Sequence, residues 1–182
     1  MSVRRGLLAI LDQGECYGYQ LRAEYARRTG ATLNVGQIYT TLDRLERDAL
    51  AARRGVDDRG HQSWGITDRG RAEVRGWFDE ADAPAGRDER AAKIALAATL
   101  PGVDLDRVLA AERAGALARR DALRATDADD VATAIVRAAE LARVDAELAW
   151  LDAVPDLASA EPFGLTAERP KRGRPARVVA AV

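Results

Sequence analysis

Val35-Gly36-Gln37-Ile38-Tyr39-Thr40-Thr41-Leu42-Asp43-Arg44-Leu45-Glu46-Arg47-Asp48-Ala49-Leu50 is the stretch on which the fold turns. Ile38, Leu42 and Leu45 recur at intervals of four and three, which places them on one face of a helix. Asn34 precedes Gln37 by three residues, the spacing of a capping box that satisfies orphan amide hydrogens at a helix start. With the apolar face turned inward, Gln37, Thr40, Thr41 and Arg44 lie on or beside the outer face, and Gly36 permits close backbone approach. That outer face has two readings. It is an ordinary solvated helix surface, or it meets DNA, where amide and hydroxyl groups bond base edges or phosphates and guanidinium reads guanine or phosphate.

The neighbouring segments decide between them. Upstream, Leu7, Leu8 and Leu11 mark a first helix that Ser2 can cap and Gly14 stops. A second, over residues 19–28, turns Leu21, Tyr25 and Ala26 inward and ends at Thr29-Gly30. Downstream, residues 50–54 and 62–66 are expected to pair as a two-stranded hairpin, with Asp57, Asp58 and Gly60 favouring the turn. Thr67 then caps a fourth helix with Val74, Trp77 and Phe78 on one stripe. Helix, helix, helix, hairpin, helix makes the chain mainly α, with a winged helix-turn-helix domain at its start. Arg53, Arg54, Arg59 and His61 around the hairpin are suited to phosphate or minor-groove contact, or equally to strand-edge charge that discourages aggregation.

The chain of 182 residues is 47% hydrophobic, enough for a domain and an appendage. Its net charge of −1 is unevenly spread. Residues 1–78 hold 13 basic and 10 acidic residues, 79–168 hold 10 and 19, and 169–182 hold 5 and none. Positive charge at both ends and an acidic helical middle suggest DNA at the ends and protein partners between. No run is long enough for a membrane span, and the first residues lack the pattern of a signal peptide, so a cytoplasmic, nucleoid-associated protein is expected. Lone Cys16 and lone His61 exclude a disulfide framework and a cysteine-cluster zinc site. No Gly-rich phosphate loop, metal-ligand spacing or nucleophile and base pair is present, so neither an enzyme nor a cofactor is expected.

Residues 1–82 therefore read as the winged helix domain, 83–87 as a hinge marked by Pro84 and Gly86, 88–154 as a helical dimerisation region, and 155–182 as a flexible basic tail. In the helical region Ile94, Leu96 and Leu100 mark one helix, and Asp104 caps another carrying Leu105, Val108, Leu109, Leu117 and Leu123. Val131, Ala134, Ala138, Leu141, Leu148 and Leu151 form a seam that a partner helix could fill. Leu141, Leu148, Trp150 and Leu151 are the expected dimer contacts, and Trp77 is expected at the junction of the two regions.

Three motifs follow one another in a known order: Tyr17-Gly18-Tyr19-Gln20-Leu21, then Gly36-Gln37-Ile38-Tyr39 with Leu42, Arg44-Leu45-Glu46 and Leu50, then Trp64-Gly65-Ile66-Thr67 with Gly70. Together they resemble the PadR family of transcriptional regulators, over residues 14–70. The resemblance implies a homodimeric repressor on a near-palindromic operator, with paired recognition helices in successive major grooves, each wing on phosphate or minor groove, and release by a small-molecule effector of unknown identity. Gly36, Gln37, Tyr39, Thr40, Thr41 and Arg44 are the expected recognition-helix contacts; Tyr17 and Tyr39 each read as a core aromatic or as a donor to phosphate, with mixed roles expected and Tyr39 the one expected to reach DNA. The chain departs from the family pattern at Thr40 in place of Pro, Ala49 in place of Gly, and Trp64 in place of Tyr. In the tail, Lys171, Arg172, Gly173, Arg174 and Pro175 resemble an AT-hook, in which a thin Gly-Arg-Pro strand enters an A·T-rich minor groove. The same residues also suit sequence-independent phosphate binding, and with it an architectural DNA-binding protein as the alternative function.

Overall fold

The computed structural model describes residues 2–56, 60–81, 87–127, 130–158 and 161–166. In chain order the elements are α1 (Ser2–Leu11), β1 (Cys16–Tyr17), α2 (Gly18–Thr29), α3 (Val35–Arg47), β2 (Ala51–Val56), β3 (Gln62–Ile66), α4 (Asp68–Asp79), α5 (Arg87–Thr99), α6 (Leu105–Ala125) and α7 (Val131–Leu157). The architecture is a mainly α winged helix domain followed by C-terminal helices.

Helix ends form where the sequence provides partners for their unpaired backbone groups. Asn34 and Gln37 make the full capping box of α3, and Thr67 and Asp104 accept from Gly70 and Arg107 to cap α4 and α6. Gly30 closes α2 with φ 71°, the left-handed conformation expected of it. α3 ends in a Schellman turn, with Ala49 N–H donating to Glu46 O at 2.9 Å and Leu50 N–H donating to Leu45 O at 2.8 Å. The turn puts Ala49 at φ 55°. This is the position at which Ala replaces the glycine of the resembled motif, so the departure is accommodated with backbone strain.

The wing differs from a simple hairpin. The sheet has three strands in the order β1, β3, β2, because Cys16 and Tyr17 pair with Trp64 and Ser63 on the free side of β3. Two residues cannot show the alternation that identifies a strand in sequence, and the segment reads there only as a link between helices. β2 also runs on to Val56, with an irregularity in its pairing between Arg53 and Val56.

The main core joins Leu7, Leu8, Ile10 and Leu11 of α1, Leu21 and Tyr25 of α2, Ile38, Leu42 and Leu45 of α3, Trp64 and Ile66 of β3, and Val74, Trp77 and Phe78 of α4. Leu96, Ala97, Leu100 and Val108 belong to the same core, so it extends past the segment containing Pro84 and Gly86 into α5 and α6. Residues 83–86 lie outside the described residues, and Arg87 opens α5. The other side of α5 presents Ile94 to Leu109, Leu151 and Val154. Helix α5 is thus buried on two faces.

Helices α6 and α7 pair along Ala116, Val144 and Leu148. Leu148 and Leu151 of the expected seam are accordingly buried within the chain itself, with Leu141 and Trp150 half-buried. α7 continues beyond residue 154 to Leu157, with Pro155 in its last turn. Residues 161–166 then return to α2, where they meet the buried side chains Glu24 and Arg28. Burial alone would raise the Glu24 carboxyl, but hydrogen bonds from Arg27 and Thr166 outweigh it and hold the group below its ordinary value.

Gly70 packs so tightly that a Cβ there would lie 2.2 Å from Leu50 O. Gly70→Ala is therefore expected to cost about 1–3 kcal/mol of stability, measured as a lower midpoint in urea. Ala49→Gly should do the opposite: relief of the left-handed strain, offset partly by backbone entropy, should stabilise by up to about 1 kcal/mol and raise the thermal midpoint.

Candidate nucleic-acid interface

Helix α3 presents an exposed face on which Gly36, Gln37, Tyr39, Thr40 and Arg44 are open to solvent, while Thr41 is half-buried. Gln37 already has structural work. Its Oε1 accepts from Asn34 N–H at 2.9 Å and its own N–H donates to Asn34 Oδ1 at 2.7 Å, so its Nε2 end is what remains for a ligand. Tyr39 is 41% exposed. Its ring lies over Gly18, where a Cβ would sit 2.9 Å from the ring carbon bearing the hydroxyl. Glycine at the start of α2 therefore makes room for the hydroxyl end of the Tyr39 ring, while the residue stays partly in solvent. Arg44 is exposed and makes no ion pair with another described residue.

The wing arginines are engaged within the domain. Arg53 Nη2 lies 3.2 Å from Glu46 Oε2 and 3.4 Å from Asp43 Oδ1, both on α3, and its guanidinium sits 5.1 Å from the Trp64 ring. These contacts tie the wing to α3. They are exposed and individually worth less than about 1 kcal/mol, but two carboxylates and an indole converge on one guanidinium. Arg54 folds back over Gly65 and donates to Ile66 O at 3.1 Å. His61 stacks on Tyr17 with ring centroids 5.5 Å apart, which links the far end of β3 to β1. Arg59 lies outside the described residues, as do Lys171, Arg172, Gly173, Arg174 and Pro175.

Residues 7–76 match the family model described as the transcriptional regulator PadR-like family. Over this part of its length the chain is similar to that family. The matched residues run from the second half of α1 through most of α4, which includes α3 and the whole wing. Among curated proteins, none matches the chain. Solved structures similar to it include Bacillus subtilis PadR in complex with operator DNA, at 17% identity, covering 87% of this chain and 100% of that one with a TM-score of 0.43. RosR of H. salinarum is 25% identical and covers 46% of this chain and 80% of its own, at a TM-score of 0.40. The PadR-like regulator BC1756 of Bacillus cereus is 19% identical, over 86% of this chain and 97% of its own, at 0.37. The likeness to the family rests on the 7–76 match.

Within the winged helix domain the sequence did not reveal the intramolecular partners of Arg53 and Arg54, since Asp43, Glu46 and Ile66 come near them only once the hairpin folds against α3. Two buried ions, Glu24 and Arg28, were also missed. Their i, i+4 spacing with opposite charge was the available signal, but it is shared by any exposed helical ion pair. Two further absences hold among the described residues: no three His, Cys, Asp or Glu residues group as a metal site, and no helix is long and apolar enough to cross a membrane.

Cys16 lies within β1 and is 1% exposed. Burial first, and the Glu24 charge second, push its thiol up to about 12, against the opposing pull of Arg28. At neutral pH the thiolate is essentially absent. Iodoacetamide should leave the native protein unlabelled at Cys16 and label it on unfolding in urea, as read by mass spectrometry; rapid native labelling would contradict this placement.

Proposed function

We propose that the chain is a sequence-specific DNA-binding transcriptional regulator, acting as a homodimeric repressor on a near-palindromic operator. The observation that carries this reading is the exposed face of α3. It is capped at its start, closed by a Schellman turn and braced against the wing by Arg53, so Thr40, Arg44 and the Nε2 end of Gln37 are presented from a rigid element. Such an element fits a major groove, in which Arg44 reads guanine and the hydroxyls meet phosphate or base edges. Gly36 and Tyr39 lie beside it, with the Tyr39 edge facing backbone phosphate.

A homodimer is supported by α7, whose Val131, Ile135 and Val136 are exposed at 76%, 64% and 58%. That apolar group suits a second copy. Trp150, Leu148 and Leu151 then support the interface from behind, through the packing of α7 on α5 and α6, with Leu141 half-buried on the same helix. The site for an effector is a cleft of about 250 Å³ lined by Val74, Phe78, Leu100 and Val103 with Asp12 and Arg75. It adjoins α1, α4 and the start of α6, so an occupant there would bear on the setting of the C-terminal helices against the DNA-binding domain. The basic residues 169–177 favour the second reading, an architectural DNA-binding protein in which the tail dominates.

Footprinting on the protein's own upstream region distinguishes the two. A repressor should give salt-sensitive protection of a dyad. Arg44→Ala should weaken that protection at least tenfold, in keeping with about 1–3 kcal/mol for a guanidinium on a base edge. Uniform coverage of all sequences, unchanged by Arg44→Ala but lost when Lys171, Arg172 and Arg174 become alanine, would instead establish the architectural reading.

A further inference from the structure

Helix α3 turns Ile38, Leu42 and Leu45 to the core. At about 100° per residue, the line diametrically opposite runs through Gly36, Thr40, Asp43 and Arg47. All four are exposed. Gln37 and Arg44 flank this line on one side, Tyr39 and Glu46 on the other. Asp43 is therefore an anion at the centre of the face that the DNA-binding reading lays against a polyanion, and its side chain is 64% exposed. Its Oδ1 accepts from Arg53 Nη2 of β2 at 3.4 Å, while its Oδ2 accepts no hydrogen bond from a described residue.

An exposed carboxylate in that place makes the approach to phosphate less favourable for every sequence. The Arg53 guanidinium partly neutralises it. Glu46, 3.2 Å from the same Nη2, and the Trp64 ring hold that guanidinium in place when Oδ2 meets a ligand. The remaining cost is recovered only against a hydrogen-bond donor, since an ionised carboxylate accepts and cannot donate. On the base edges of the major groove the donors are the amino groups of cytosine and adenine. Adenine N6 has the acceptor N7 beside it, which repels a carboxylate oxygen; cytosine N4 has only the C5 edge beside it on its own base.

We propose that Asp43, with Arg53 as its positioning residue, determines specificity by accepting from the N4 amino group of a cytosine in the major groove. This rests on the DNA-binding reading above and adds a base read by a carboxylate to the guanine read by Arg44. The selection works by rejection as much as by attraction, because DNA without cytosine at that place leaves the carboxylate facing acceptors or phosphate. Replacing the acid by its amide changes the base that fits: asparagine donates and accepts at once and matches N7 and N6 of adenine.

The test begins with the native chain, used to select duplexes from a random pool. Enrichment of no sequence defeats the regulator reading and this proposal with it; the later outcomes bear on the proposal alone. Each cytosine of the enriched duplex is then replaced in turn by adenine, with its complement, and the duplexes are titrated with the native, Asp43→Ala, Asp43→Asn and Arg53→Gln chains. At one such position the change should weaken the native chain about tenfold and the Asp43→Ala chain less than about twofold. Asp43→Asn should bind the adenine duplex better than the cytosine one. Arg53→Gln should shrink the native penalty at that position to about threefold, whatever it does to binding as a whole. Asp43→Ala should also bind an unrelated duplex more tightly than the native chain at low salt, as loss of a like charge requires. Penalties identical in the native and Asp43→Ala chains at every position would make Asp43 only a brace for Arg53 and overturn the proposal; an undiminished penalty in Arg53→Gln would overturn the positioning role.

Discussion

Glu112 is the point on which the arrangement of the two regions depends. Its fully buried carboxylate accepts from Lys93 Nζ at 2.6 Å and from Arg90 Nε at 2.8 Å. Lys93 donates also to Glu80 O at the end of α4, and Arg90 pairs with Glu147 of α7 at 2.9 Å. Four helices therefore meet through one carboxylate. Removing a single member of such a cluster leaves an uncompensated buried charge and costs about 3–5 kcal/mol, whereas an apolar replacement of the whole set can be neutral. What the ions contribute is a defined geometry: apolar surfaces on α5 and α6 could slide, but bonds of fixed length and direction permit one register.

The consequence reaches the winged helix domain through α5. One side of this helix completes the core under α1 and α2, and the other carries Ile94 into the cluster with Leu109 and Leu151. Helix α4 contributes Trp77, whose ring lies 6.0 Å from the Lys93 ammonium. The C-terminal helices are therefore continuous with the core that supports α3. A change in the angle of α6 and α7 must be transmitted to that core or must break the Glu112 cluster. Rigidity at α3 has the same character on a smaller scale, since its start, its end and its flank are each fixed by a separate device.

Much of the fold was legible. Helical spacing of Ile38, Leu42 and Leu45, the Asn34 and Gln37 box, the left-handed Gly30 and the Thr67 cap all depend on residues within a few positions of one another, and all appear as read. The exposed face of α3 followed from the same spacing. The site was less legible where its residues are held by distant ones. The wing arginines read as free cations, but Arg53 is drawn to Asp43 and Glu46, and Arg54 to Ile66 O. The third strand was illegible because Cys16 and Tyr17 become a strand only by pairing with β3.

By itself, the sequence determined which segments are helical, where the capped ones start, and which side of each is apolar, because propensity, capping and periodicity are local; the ends of α7 at Leu157 and of α5 at Arg87 lay beyond it. Tertiary structure alone decided what those apolar and charged sides meet. It assigned Leu148 and Leu151 to α5 and α6 of the same chain, set Glu112 among its cations, and brought Phe163 back between Arg27 and Arg28. The physical reason is that burying a charge is favourable only when a partner arrives from another element. That arrival depends on the path of the whole chain, and no local pattern encodes it.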